Sequence, residues 1–134
     1  MNKCVIGILL ATVCCGPLVA QADAVTQLES GYLAAGATVF SAARGEALWN
    51  KNFTDKKSGK TRNCGTCHGE SLSQEGKHVR TKKLIKPMAP SVNPQRLTKV
   101  KKIEKWFKRN CKWTIGRECT IQEKGDVLAF LKDK

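Results

Sequence analysis

The pentapeptide Cys64-Gly65-Thr66-Cys67-His68 constrains this 134-residue chain more than any other feature. Two thiols three positions apart, followed at once by an imidazole, match the attachment signature of a c-type haem. The thiols form thioethers to the vinyl groups, and the imidazole is placed to bind the iron. Two other chemistries use closely spaced cysteines. A thioredoxin-like dithiol wants a strand–helix context in an α/β pattern, and no run here shows the period-two alternation of a strand. A zinc site would need Cys64, Cys67, Cys111 and Cys119, but its second pair is separated by seven residues and not by the usual spacing of about two to four. The motif therefore points to a covalently held haem.

The amino terminus agrees with that chemistry. Lys3, the apolar run around Val5 to Leu10, and Ala20-Gln21-Ala22 or Ala22-Asp23-Ala24 as small-x-small sites read as a signal peptide over residues 1–24, cleaved after residue 22 or 24. A membrane anchor needs about 20 apolar residues, and Gly16-Pro17 interrupts this run. No later segment is long and apolar enough to span. Of seven Cys, Cys4, Cys14 and Cys15 leave with the peptide. The four that remain enter an oxidising compartment, where a bridge between Cys111 and Cys119 is reasonable. The expected localisation is the periplasm.

Residues 25–134 then form a single domain of about 110 residues, a size at which one core needs reinforcement. A bound haem supplies it as a large apolar body. Short helices are expected over Thr26–Ala37, with Leu28, Tyr32 and Leu33 as its apolar side, and over Ser41–Asn50. Solvated or irregular loops are expected over 51–63 and 69–94. Thr98 is placed to cap a helix to about Arg109, with Val100, Ile103, Trp106 and Phe107 on one stripe and lysines opposite. Thr120-Ile-Gln-Glu123 is a capping box for a last helix carrying Val127, Leu128, Phe130 and Leu131. The expected fold class is all-α.

The side of the iron opposite His68 decides function, and the residues leave several candidates open. Met88 lies in Pro87-Met88-Ala89-Pro90, a loop like that of methionine-ligated electron carriers. His78 sits in a basic loop, and lysines abound. Asn110 falls on the apolar stripe of its helix, either as a helix-end cap or as a group held against the haem.

The net charge of +13, from 24 Lys plus Arg against 11 Asp plus Glu, suggests nucleic acid, an anionic membrane surface or an acidic protein partner. No base-reading motif accompanies it, and export removes the nucleic acid.

Six stretches resemble the sphaeroides haem protein family, a branch of class I cytochromes c that bind oxygen and nitric oxide. They are Ala43 to Trp49, Cys64 to Gly69, Pro87 to Pro94, Glu104 to Cys111, Ile115 to Cys119 and Glu123 to Leu131, in unchanged order. The resemblance implies a class I cytochrome c fold of four to five helices around one covalent haem c and its iron. It implies Asn110 as the distal iron ligand, released on reduction, a Cys111–Cys119 disulfide, and Met88 as core. Trp106, one turn before Asn110, is placed to line the same pocket. The resemblance also implies either reaction of the bound gas or electron transfer alone. Its implied partners are a dihaem cytochrome c and a membrane b-type cytochrome as electron donors. One departure is Thr81-Lys82-Lys83, where the family pattern has Gly at the middle position, a turn expected to need positive φ.

Overall fold

Gly45 fixes the central crossing of the molecule. In the computed structural model, which describes residues 23–134, a Cβ at Gly45 would stand 2.0 Å from the Asp126 carbonyl oxygen and 2.9 Å from Phe130 Cβ. Only a residue without a side chain lets α2 (Ala42–Asn50) lie so close on α5 (Ile121–Leu131). The remaining helices are α1 (Ala24–Ala34), the single turn α3 (Gly65–His68) and α4 (Val100–Thr114). Two small antiparallel ladders interrupt the loops. Here β1 (Phe53–Thr54) pairs with β2 (Thr61–Arg62), and β3 (Gly76–Lys77) pairs with β4 (Leu84–Ile85). The all-α expectation holds, with these ladders as additions too short to show alternation.

The expected signal peptide lies outside the described residues except for its last two. Asp23 caps α1, its carboxylate accepting from the amides of Val25 and Thr26 at 2.9 and 3.1 Å. The helix therefore starts two residues earlier than predicted. It stops at Ala34, three residues short of the prediction, where Gly36 turns at a φ of 99°. Leu28 and Tyr32 are buried as expected, joined by Val25, whereas Leu33 is exposed.

Two apolar clusters share the interior. One joins Val25, Leu28 and Tyr32 of α1 to Ile103 and Leu128. The other joins Trp49 of α2 to Val127, Phe130 and Leu131 of α5. Leu97 and Phe107 pack against both. Polar pairs lock the frame. The Tyr32 hydroxyl donates to Glu104 Oε1, and Lys124 Nζ lies 2.7 Å from Glu104 Oε2, so α1, α4 and α5 meet at one carboxylate. Burial and that carboxylate push the Tyr32 phenol pKa upward.

The last helix starts as predicted: Thr120 Oγ1 accepts from the Glu123 amide and Glu123 Oε2 from the Thr120 amide. The helix before it does not. Thr98 turns its hydroxyl to the Gln95 carbonyl, and Lys99 is the cap position without a side-chain bond. That helix also runs five residues beyond Arg109, because Cys111 and Thr114 extend its buried stripe until Gly116 turns at a φ of 85°.

Candidate haem site

The CXXCH segment is shaped locally by Asn63 and Thr66, which cap each other. The Thr66 amide donates to Asn63 Oδ1 at 2.8 Å, and the Asn63 amide donates to Thr66 Oγ1 at 2.9 Å. This reciprocal pair starts the turn on which the amides of Cys67 and His68 both reach the Cys64 carbonyl. The Cys64 amide donates to the Trp49 carbonyl at 3.2 Å, tying the turn to α2. From the other side, β3 presses on it. A Cβ at Gly76 would stand 2.2 Å from the Cys67 carbonyl oxygen and 2.7 Å from His68 Cα.

Cys64 and Cys67 are half-buried free thiols. Burial, then the neighbouring Cys67, pushes the Cys64 pKa up to about 11. The His68 ring lies 5.3 Å from that of Trp49. Burial, then the positive charge of Arg96, brings its pKa down to about 4, so the imidazole is neutral and its lone pair is free for a metal. Its Nδ1 is buried without a hydrogen-bond partner. Two thiols and an otherwise idle imidazole on one turn fit a covalent haem. Cys111 is bonded to Cys119, so the four-cysteine zinc arrangement is excluded. Among the described residues no group of three or more His, Cys, Asp or Glu is placed to hold a metal ion by itself.

The candidates for the opposite side separate. Met88 packs against the Trp49, Val127, Phe130 and Leu131 cluster, and its amide donates to the Leu72 carbonyl at 2.9 Å. His78 is half-buried, not loose in solvent: its Nδ1 accepts from the amides of Arg80 and Thr81, and its ring lies 6.3 Å from Trp113. Asn110 is exposed and sits inside α4, so it is not a helix-end cap. The buried stripe of α4 runs through Val100, Ile103, Phe107, Cys111 and Thr114. At about 100° per residue, Asn110 stands on the edge of that stripe, with Trp106 and Trp113 on the same flank. Trp106 was expected on the stripe itself, but it is 43% exposed, and Trp113 is 37% exposed. Each ring is partly covered by a cation, Arg109 at 5.2 Å from the Trp106 centroid and Arg62 at 4.5 Å from that of Trp113, and the exposed remainder of the flank fits a flat apolar group. The Cys111–Cys119 bridge, with 5.6 Å between Cα atoms, ties the next turn of α4 to the residue before the α5 cap.

Three residues of this region escaped the sequence reading. Trp113, three positions after Asn110, was within reach of the same helical arithmetic. Gly76 and Arg96 carry no local signal, since their roles arise from contacts distant in sequence.

A domain of unknown function, DUF1924, matches residues 35–131. The cytochrome c-type protein SHP of Cereibacter sphaeroides is 43% identical over 124 residues, covering 92% of this chain and 95% of that protein. The chain belongs to the sphaeroides haem protein (SHP) family. Like its relatives, this SHP-family chain is a c-type cytochrome of the class I all-α kind, with haem c and its iron as cofactor. The solved structure of oxidised SHP, described as an oxygen-binding cytochrome c, superimposes with a TM-score of 0.72 at 44% identity, covering 80% of this chain and 94% of that one. Cytochrome c'' of Methylophilus methylotrophus is 36% identical over 87 residues, covering 65% of this chain and 60% of that protein. Its solution structure, described in terms of haem-ligand detachment, gives a TM-score of 0.69 at 31% identity, covering 82% of this chain and 93% of that one. No helix among the described residues is long and apolar enough to cross a membrane.

Proposed function

We propose that this chain is an exported, periplasmic monohaem cytochrome c whose reduced form binds a diatomic gas, oxygen or nitric oxide. Cys64 and Cys67 hold the haem by thioethers, His68 is the proximal iron ligand and Asn110 the distal one. The observation that carries the reading is the position of Asn110, exposed between Trp106 and Trp113 on the partly exposed flank of α4 and beside a disulfide. The oxygen-binding description of SHP and the ligand detachment described for cytochrome c'' support it. Haem c supplies an iron that changes oxidation state and accepts a gas when a position is open. Asn110 would present a hard amide oxygen, suited to ferric iron and poor for softer ferrous iron, so reduction would favour its release. Its amide N–H is then available to donate to the arriving ligand. Met88, packed beside Trp49 and Phe130, acts as core.

Electron supply comes from a redox partner with an acidic surface, of the dihaem cytochrome c or membrane b-type kind. Lys101, Lys102, Lys105, Lys108, Arg109 and Lys112 are all exposed along α4, where charge steers encounter and salt screens it. The deciding experiment is the ferrous absorption spectrum with and without nitric oxide. A high-spin ferrous form that shifts on adding the gas, together with a changed ferric spectrum in Asn110→Ala, is expected. A sulfur-to-iron band in the red, with no response to nitric oxide, would instead establish His68/Met88 ligation and an ordinary electron carrier.

A further inference from the structure

Arg96 is a half-buried cation with no carboxylate to answer it among the described residues. Its Nε donates to the Pro87 carbonyl at 2.8 Å and its Nη2 to the Lys86 carbonyl, while Asn93 Nδ2 shares the Pro87 oxygen at 3.1 Å. None of the ion pairs among the described residues includes it, although the other half-buried arginine, Arg62, pairs with Asp55. Two carbonyls satisfy donors but supply no countercharge, and a guanidinium taken out of water is costly when unpaired. Nη1 has two N–H groups and no bond to a described residue.

The backbone holds this cation in place. Leu97, the next residue, has a φ of 56°, a left-handed conformation that is strained for a residue with a side chain. Its side chain packs into both core clusters, including the one against which Cys64 and Met88 lie. Arg96 is thus fixed beside Met88 and Leu97, at the edge of the cluster against which Cys64 also packs.

We propose that Arg96 binds a haem propionate. Thioether formation consumes the vinyl groups and leaves two carboxylates, and a planar fork of N–H donors suits a carboxylate in geometry and charge. The inference rests on haem attachment at Cys64 and Cys67. Arg96 would then anchor the edge of the haem that carries no thioether, neutralising one propionate and raising the reduction potential by its charge.

The test is resonance Raman spectroscopy of the propionate bending mode in the ferric holoprotein, with an alkaline pyridine spectrum as a separate reading of haem attachment. Arg96→Gln should shift the mode and lower the midpoint potential, and Arg96→Lys should shift the mode less. Asn93→Ala removes the other donor to the Pro87 carbonyl and should leave the mode in place, separating propionate binding from loop support. Attached haem with an unmoved mode in Arg96→Gln overturns the proposal while leaving the haem reading intact. Absence of thioether-bound haem in the wild-type protein overturns both. If Arg96→Gln fails to accumulate, Arg96→Lys decides by the same mode.

Discussion

Arg44 grips Asp126 at two points, Nε to Oδ2 and Nη2 to Oδ1, both at 2.8 Å. The Asp126 side chain is only 6% exposed, and it also accepts from the Ser41 amide and from Gln122. One carboxylate therefore joins the start of α2 to the middle of α5, directly beside the Gly45 crossing.

This arrangement sets an acid limit on stability. Burial alone would raise the Asp126 pKa, but bonds from Arg44, Ser41 and Gln122 outweigh it and hold the value below the ordinary one. The contribution is full above the unfolded value near about pH 4 and fades as pH falls through the lower folded value. Asp126→Asn should cost about 1.5–3 kcal/mol at pH 7, with a flatter loss between about pH 5 and pH 2. Urea melts across that range check both; parallel curves for the two proteins would remove Asp126 as the source.

Lys82 lies at the turn expected to need a positive φ, and it adopts a φ of 59°. A side chain in that conformation costs about 1 kcal/mol. Lys82→Gly should therefore raise stability by roughly 0.5–1 kcal/mol, offset partly by the greater freedom of unfolded glycine. Thermal unfolding of the pair measures it, and a lower midpoint for the glycine variant would contradict the strain.

Gly76 leaves no room beside the attachment turn. Gly76→Ala must displace the backbone of Cys67 and His68, since the added carbon would overlap both. The expected result is a chain with near-native helix content and sharply reduced covalent haem, read by circular dichroism and haem staining of the denatured protein. Full haem attachment would show that the turn can yield.

Asp23 and Ala24 offer a test of the expected signal-peptide cleavage after residue 22 or 24. Asp23 caps α1 and Ala24 is 7% exposed in the first cluster. Cleavage after Ala22 keeps both, whereas cleavage after Ala24 removes both. Intact-mass analysis of the exported protein should place Asp23 at the amino terminus, and Asp23→Ala should lower stability by about 1 kcal/mol.

Much of this was legible in sequence because it is local. The CXXCH turn, the Thr120–Glu123 capping box and the apolar side of α5 depend on neighbours within about one or two helical turns. What escaped is non-local. The Thr98 cap failed because its hydroxyl turns back to Gln95, and the stripe of α4 lies one flank away from its expected place because Trp106 is apolar yet exposed, with Arg109 over its ring. Nothing around Arg96 in the sequence says that its charge lies without an acidic partner.

The disulfide carries a consequence for assembly. On the proposed haem attachment, the four cysteines of the described residues need opposite treatment: Cys111 and Cys119 oxidised, Cys64 and Cys67 reduced until haem arrives. Burial pushes the Cys64 thiol pKa up, which favours its protonated, more slowly exchanging form. Maturation is thus a sorting problem, in which the order of oxidation and haem delivery decides the yield of correctly paired protein.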